Sequence, residues 1–112
     1  MLLVTEIYSI TKNYPKEELY GITNQIRRAS TSIRANIAEG SSRKSTKYYI
    51  QFLNISRGSL AELETFLMIS QNLNYIDIST LDKLIIQTEE IGKMLNGLIN
   101  RLSDKLNLTT EA

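Results

Sequence analysis

Leu19-Tyr20-Gly21-Ile22-Thr23-Asn24-Gln25-Ile26-Arg27-Arg28-Ala29-Ser30-Thr31-Ser32-Ile33-Arg34-Ala35-Asn36-Ile37 is the stretch that decides the fold. Its apolar positions Leu19, Ile22, Ile26, Ala29, Ile33 and Ile37 recur at spacings of three and four, which lines them along one face of a helix. A half-buried strand would need apolar and polar residues to alternate, and no run of the chain does so convincingly. The pattern predicts a helix over about residues 16–39. Pro15 stands at or just before its first turn, Glu17 and Glu18 suit its positive end, and Gly40 is suited to the C′ position.

Outward from this helix the same periodicity repeats three times. Leu3, Ile7 and Ile10, continuing to Tyr14, predict a first helix over about residues 2–13, which Pro15 ends by pushing the preceding residue out of the α region. A third helix is expected over about 45–73, with Ser45 as N-cap and Asn72 and Asn74 as its stop. Its apolar arc is wide: Tyr49, Phe52, Leu53, Ile55, Leu60, Leu63, Phe66, Leu67 and Leu73. A wide arc implies contact with more than one neighbour. Leu81, Leu84, Ile85, Ile91, Leu95, Leu98, Ile99, Leu102 and Leu106 predict a fourth helix over about 79–106, with Ser79 and Asp82 resembling a capping box. Residues 107–112 read as a flexible tail. Short connections favour antiparallel neighbours, so the expected fold is all-α: one domain over residues 1–106, an up-down-up-down four-helix bundle.

The first helix is too short for this bundle. At 1.5 Å per residue it reaches roughly 18 Å, against roughly 40 Å for the third helix. Part of the apolar surface then stays open, unless a second copy covers it or further residues before the first helix complete it. A homo-oligomer is expected on the first of these readings.

Composition narrows the chemistry. The 112 residues suit one domain, and 42% hydrophobic with 22% charged residues is ordinary for a folded one. Cys and His are both absent, which removes disulfides, thiol nucleophiles, imidazole catalysis and the histidine-containing di-metal centres of four-helix bundles. The start of the chain has no basic segment ahead of an apolar run, so no secretory signal is expected, and no stretch reaches the roughly 18 apolar residues of a membrane span. A cytoplasmic location follows as the expectation, and the Asn-x-Ser/Thr matches at Asn54 and Asn107 read as chance. Glu17-Glu18 and Glu89-Glu90 are adjacent, and Glu62 and Glu64 are two apart, so each pair diverges around its helix rather than meeting for acid–base work. Gly40-Ser41-Ser42-Arg43-Lys44-Ser45 lacks the spaced glycines and preceding strand of a phosphate loop and reads as an interhelical connection. No enzyme, cofactor or metal is expected.

The charge distribution is the functional signal. Arg27, Arg28, Arg34, Arg43, Lys44, Lys47 and Arg57 face a single acid, Glu39, over residues 27–57, so this segment carries +6 while the remainder carries −5. Two readings stand. Either the cations form a basic rim that meets nucleic acid or an acidic partner, or they pair with Glu62, Glu64 and the acids of the fourth helix in a surface or intersubunit lattice. Tyr14 and Tyr49 sit on core stripes and read as packing residues with a wet hydroxyl rather than base-stacking platforms. Ala29, Ser30, Ser32, Ala35 and Ala38, with Gly58, Ser59 and Ala61, let helices approach closely, and Asn36 at the stripe's edge is placed to bond across an interface and fix register.

Tyr14-Pro15-Lys16-Glu17-Glu18-Leu19-Tyr20-Gly21-Ile22-Thr23-Asn24-Gln25-Ile26-Arg27-Arg28-Ala29, followed by Ser32-Ile33-Arg34-Ala35-Asn36-Ile37-Ala38-Glu39-Gly40 and Gly58-Ser59-Leu60-Ala61-Glu62-Leu63-Glu64-Thr65, resembles the four-helix bundle family encoded in bacterial ribosomal RNA intervening sequences. The resemblance covers about residues 7–102. It implies a ring assembly, typically a pentamer, and kinship with the accessory variability determinant, which partners the reverse transcriptase of diversity-generating retroelements and has a basic, nucleic-acid-binding surface. It marks Arg27, Arg28, Arg43 and Lys44 as nucleic-acid contacts. The family usually has proline where this chain has Arg34, and a longer first helix. The resulting expectation is a non-enzymatic, homo-oligomeric protein that binds RNA or DNA by phosphate contacts. The alternative is an adaptor whose partner is a protein.

Overall fold

Each apolar stripe forms a helix in the computed structural model, which describes the backbone of residues 2–111 and the side chains of residues 2–107. The helices are α1 (Leu2–Thr11), α2 (Ile22–Ser41), α3 (Thr46–Asn72) and α4 (Ile78–Glu111), with a single 3₁₀ turn at Lys16–Glu18. Neighbours run antiparallel. Ser32 meets Ser59 and Ile33 meets Ser56 between α2 and α3, whereas Arg57 meets Asn96 and Glu64 meets Thr88 between α3 and α4. α1 lies on α2 through Thr11 and Arg27 and reaches α4 through Gln87, which donates to Glu6 at 2.7 Å. The result is an all-α four-helix bundle of 56 × 24 × 19 Å with a short first helix.

Leu3 and Ile7 of α1, Ile26 and Ile33 of α2, Leu53, Leu63 and Leu67 of α3 and Leu84 of α4 are all at most 2% exposed. They form one continuous core with Leu60, Leu95 and Ile99. Each such side chain contributes about 1.5–3 kcal/mol of transfer free energy. Two buried serine hydroxyls bond the backbone: Ser56 donates to the Ile33 carbonyl at 2.9 Å, and Ser70 to that of Phe66 at 2.8 Å.

Helix ends differ from the sequence expectation in instructive ways. Ser45 does cap α3, accepting from the Tyr48 N–H at 3.3 Å. At the other end Asn74 takes φ 62, and the Tyr75 N–H bonds the Ser70 carbonyl while the Asn74 N–H bonds that of Gln71. These are the paired bonds of a Schellman stop, for which an asparagine tolerates the left-handed conformation. α4 begins one residue earlier than expected. Asp77, not the Ser79–Asp82 pair, closes its first turn by accepting from the Thr80 N–H at 2.8 Å. That bond also holds the Asp77 carboxyl below its ordinary pKa. α4 then continues through Glu111, so the tail expected from residue 107 begins inside this helix, and Ala112 lies outside the described residues.

Two expectations about α2 are corrected. Pro15 does not lead into one long helix: it precedes the 3₁₀ turn, and α2 starts only after Gly21. Leu19 therefore leaves the apolar stripe and is 46% exposed. Gly40 is not the left-handed residue after the helix but lies within it, buried, because a Cβ there would stand 2.7 Å from Phe52 Cβ and 2.9 Å from the Tyr49 ring. It is the close approach of α2 to α3 that requires glycine here, not a turn. Ile55 of α3 and Leu73 just beyond its end are exposed rather than completing the wide arc.

Candidate nucleic-acid interface

The seven basic residues are spread over three sides of the bundle. Arg27 and Arg34, seven apart, share the α1 side of α2. Arg27 is half-buried: its Nε donates to Thr11 Oγ1 at 2.9 Å, and its guanidinium lies 4.8 Å from the Tyr8 ring centroid. Arg34 is exposed where α1 begins, beside Val4 and Thr5. Arg28 faces the α2–α3 groove with Gln25, Ser32, Ser59 and Glu62. Arg43, Lys44 and Lys47 collect at the α2–α3 corner, where Arg43 pairs with Glu39 and lies 5.3 Å from the Phe52 ring centroid. Arg57 belongs to the α3–α4 side, donating to Asn96 at 3.0 Å and to Asn54 at 2.8 Å.

Among the described residues no salt-bridge lattice forms, and Arg43–Glu39 is the only ion pair. Glu64 accepts from Thr88 instead, at 2.8 Å, and Glu6 accepts from Gln87. Arg28, Arg34, Lys44 and Lys47 have neither hydrogen bond nor ion pair among the described residues, and all four are exposed along α2, the corner that follows it and the start of α3. Exposed without internal counter-charges, such cations can neutralise phosphates. Arg27 and Arg57, committed to Thr11 and to the two asparagines, act first as ties between helices.

The small residues do what their size suggests at the α2–α3 contact. Ser32 and Ser59 hydroxyls meet at 2.9 Å, and the Asn36 amide donates back to the Ser32 carbonyl and hydroxyl at 2.9 and 3.0 Å. Asn36 therefore bonds within its own helix rather than across an interface, and the contact between α2 and α3 here is that of Ser32 with Ser59.

Beyond the start of α1 an apolar groove opens between α2 and α4, lined by Arg34, Ile37, Ala38, Ser41, Ile91 and Met94, with a volume of about 410 Å³. Met94 is 71% exposed there. This is the surface that the short first helix leaves uncovered.

Two cations were missed by a window that begins at residue 27. Lys12 and Lys16 stand with Arg27 around a cavity at the junction of α1 and α2. The available signal was the spacing of Thr23 and Arg27, four apart on one face of α2 directly behind Pro15. Tyr14 lines the same cavity, and its ring packs 5.2 Å from that of Tyr75, whose hydroxyl donates to Glu18 at 2.9 Å. The Tyr14 hydroxyl is buried rather than wet. Burial pushes its pKa up, and the nearby Ser70 hydroxyl draws it partly back.

A family model described as 23S rRNA-intervening sequence protein matches residues 1–97. The crystal structure of a protein with unknown function from the S23 ribosomal protein family of Bacteroides thetaiotaomicron is 28% identical to this chain. It superposes with a TM-score of 0.80 over 87% of this chain and 91% of that one. No curated protein matches the chain.

Proposed function

The chain belongs to the family of 23S rRNA-intervening sequence proteins, and from that premise we propose that it is a non-enzymatic, homo-oligomeric bundle that binds RNA or DNA through phosphate contacts. The observation that carries this reading is the set of unpaired cations. Arg34, Lys44 and Lys47 are exposed and without hydrogen bond or ion pair among the described residues, while Glu64 accepts from Thr88 and Glu39 pairs with Arg43. A surface of this kind attracts the nucleic-acid backbone and reads little sequence. A cytoplasmic location accords with this reading, and no described helix is long and apolar enough to cross a membrane.

Fluorescence anisotropy with a labelled structured RNA and a DNA duplex across a salt series tests it. Binding in the micromolar range or tighter that falls steeply with salt is the expected result. Absence of binding at low salt refutes it.

The α2–α4 groove supports a second reading, that of an adaptor which docks a protein, such as a reverse transcriptase, or assembles copies of itself into a ring, a pentamer by resemblance. Its apolar lining of Ile37, Ala38, Ile91 and Met94 is the kind of surface that a partner covers. Light scattering at micromolar concentration distinguishes an oligomer from a monomer. Co-purification of a protein that survives nuclease treatment favours the adaptor.

A further inference from the structure

The corner between α2 and α3 carries an exposed aromatic ring among its cations. Tyr48 lies in the first turn of α3, where its backbone N–H donates to the capping Ser45 hydroxyl. Its side chain is left to water: the residue is 56% exposed. Phe52, four residues on, shares its face. Over the Phe52 ring lies the Arg43 guanidinium, 5.3 Å from the centroid and paired with Glu39. Arg43 is thus a planar cation held by two contacts, with half of its side-chain surface open. The ring beneath it is itself fixed, because Gly40 brings the last turn of α2 against Phe52 and Tyr49. Lys44 and Lys47 stand on either side of Ser45, exposed and with neither hydrogen bond nor ion pair among the described residues.

Charge alone would suit any polyanion, and the exposed ring selects among them. In a duplex the bases stack on one another, out of reach of a surface ring. An unpaired base offers its face to an aromatic side chain or a guanidinium plane. A peptide helix needs a continuous apolar groove. Here the exposed polar residues Gln51 and Asn54 flank the row from Tyr48 to Ile55, and the Arg43 guanidinium covers its middle at Phe52. We propose that this corner is a stacking platform for single-stranded nucleic acid. One unpaired base lies on the Tyr48 ring, a second lies on the Arg43 guanidinium, and Lys44 and Lys47 neutralise the adjoining phosphates. The platform deepens the nucleic-acid reading and rests on it. It adds a preference for unpaired strands, of RNA or of DNA, without reading sequence.

Fluorescence anisotropy of the full chain with labelled deca-uridylate, deca-thymidylate and a short DNA duplex, at one low salt concentration, tests it. The single strands should bind tighter than the duplex. Equal affinity for the two strands means that stacking and phosphates suffice, and tighter binding of deca-uridylate assigns the platform to RNA. Tyr48→Ala should lower single-strand affinity about 5- to 150-fold, the range for one lost base–aromatic stack, and leave duplex affinity unchanged. Tyr48→Phe keeps the ring and should bind within about 2-fold of the unsubstituted chain. Tyr20→Ala removes a ring that is 92% exposed at the opposite end of α2 and should change nothing. Circular dichroism checks that each variant keeps its helices. In NMR spectra the Tyr48 ring protons should move upfield as deca-uridylate is added, the mark of a base stacked on them. Single-strand affinity unchanged in Tyr48→Ala, or lowered as much in Tyr48→Phe as in Tyr48→Ala, overturns the proposal. So does deca-glutamate that binds as tightly as deca-uridylate, because charge alone would then recognise the ligand. If the duplex and a structured RNA bind but the single strands do not, the platform alone fails. If none of them binds, the nucleic-acid reading fails with it.

Discussion

Replacing Gly40 by alanine places a methyl group 2.7 Å from Phe52 Cβ, 2.9 Å from Tyr49 Cδ1 and 3.3 Å from the Tyr49 carbonyl oxygen. None of these atoms is the far end of a flexible side chain, so relief requires α2 and α3 to move apart. Overpacking of this kind costs up to about 3 kcal/mol, and alanine's helix propensity returns about 1 kcal/mol. The net expectation is a loss of about 2 kcal/mol. With a urea dependence of about 1–2 kcal/mol/M, the unfolding midpoint should fall by roughly 1–2 M. The same change at Gly58 meets nothing within 4 Å, so only the propensity gain of about 0.5–1 kcal/mol remains. Urea titration followed by helix circular dichroism at low protein concentration checks both. Two chemically identical substitutions should move the midpoint in opposite directions. A Gly40→Ala protein as stable as Gly58→Ala would refute the close-approach argument.

Asn74→Val forces a β-branched residue to φ 62 and should cost at least about 1–2 kcal/mol by urea unfolding, whereas Asn74→Gly should be near neutral. Lys44→Ala with Lys47→Ala should lower affinity for all sequences alike and reduce the slope of log K against log salt by up to about 1.8, at about 0.9 per phosphate contact on DNA; sequence-selective loss would contradict phosphate neutralisation. At alkaline pH, Tyr75 is raised above 10.0 by its bond to Glu18, then by partial desolvation and the carboxylate's charge. A raised folded pKa means stability is fully present below pH 10, the unfolded value, and is lost as pH rises through the folded one. Melting temperature should therefore decline above pH 10, and Tyr75→Phe should make that decline shallower.

The helices were legible because burial imposes a period. Ile26 and Ile33, Leu60 and Leu67, and Leu84 and Leu95 all lie where spacing put them, and the short first helix followed from where Pro15 falls. What spacing misses is local competition at helix ends. Leu19 continues the stripe of α2 perfectly in register, yet the 3₁₀ turn and Gly21 rotate it into solvent. Gly40 has the composition of a stop signal, and its actual role depends on Tyr49 and Phe52, which only tertiary contact brings near. Asp77 outcompetes the Ser79–Asp82 pair because its carboxylate reaches the Thr80 N–H. For the interface, the clustering of charge was visible in sequence, but its division among three sides was not. Arg27 and Arg57 look like Arg34 in a list of charges, and differ only in having Thr11, Asn54 and Asn96 within reach.

The brevity of α1 also sets the order in which the molecule comes apart. Only Leu3, Ile7 and Thr11 of its ten residues are buried, so it is the helix held by least apolar surface and should open as a unit before the α2–α3 pair. Amide exchange should therefore be fastest in α1 at free energies below that of global unfolding. Each opening releases Arg27 from Thr11 and Tyr8 and bares the side of α2 that carries Ile26 and Ile33. A partner that seats on α1 or on the junction behind it would suppress this opening, and protection of residues 3–11 would then report occupancy from a distance.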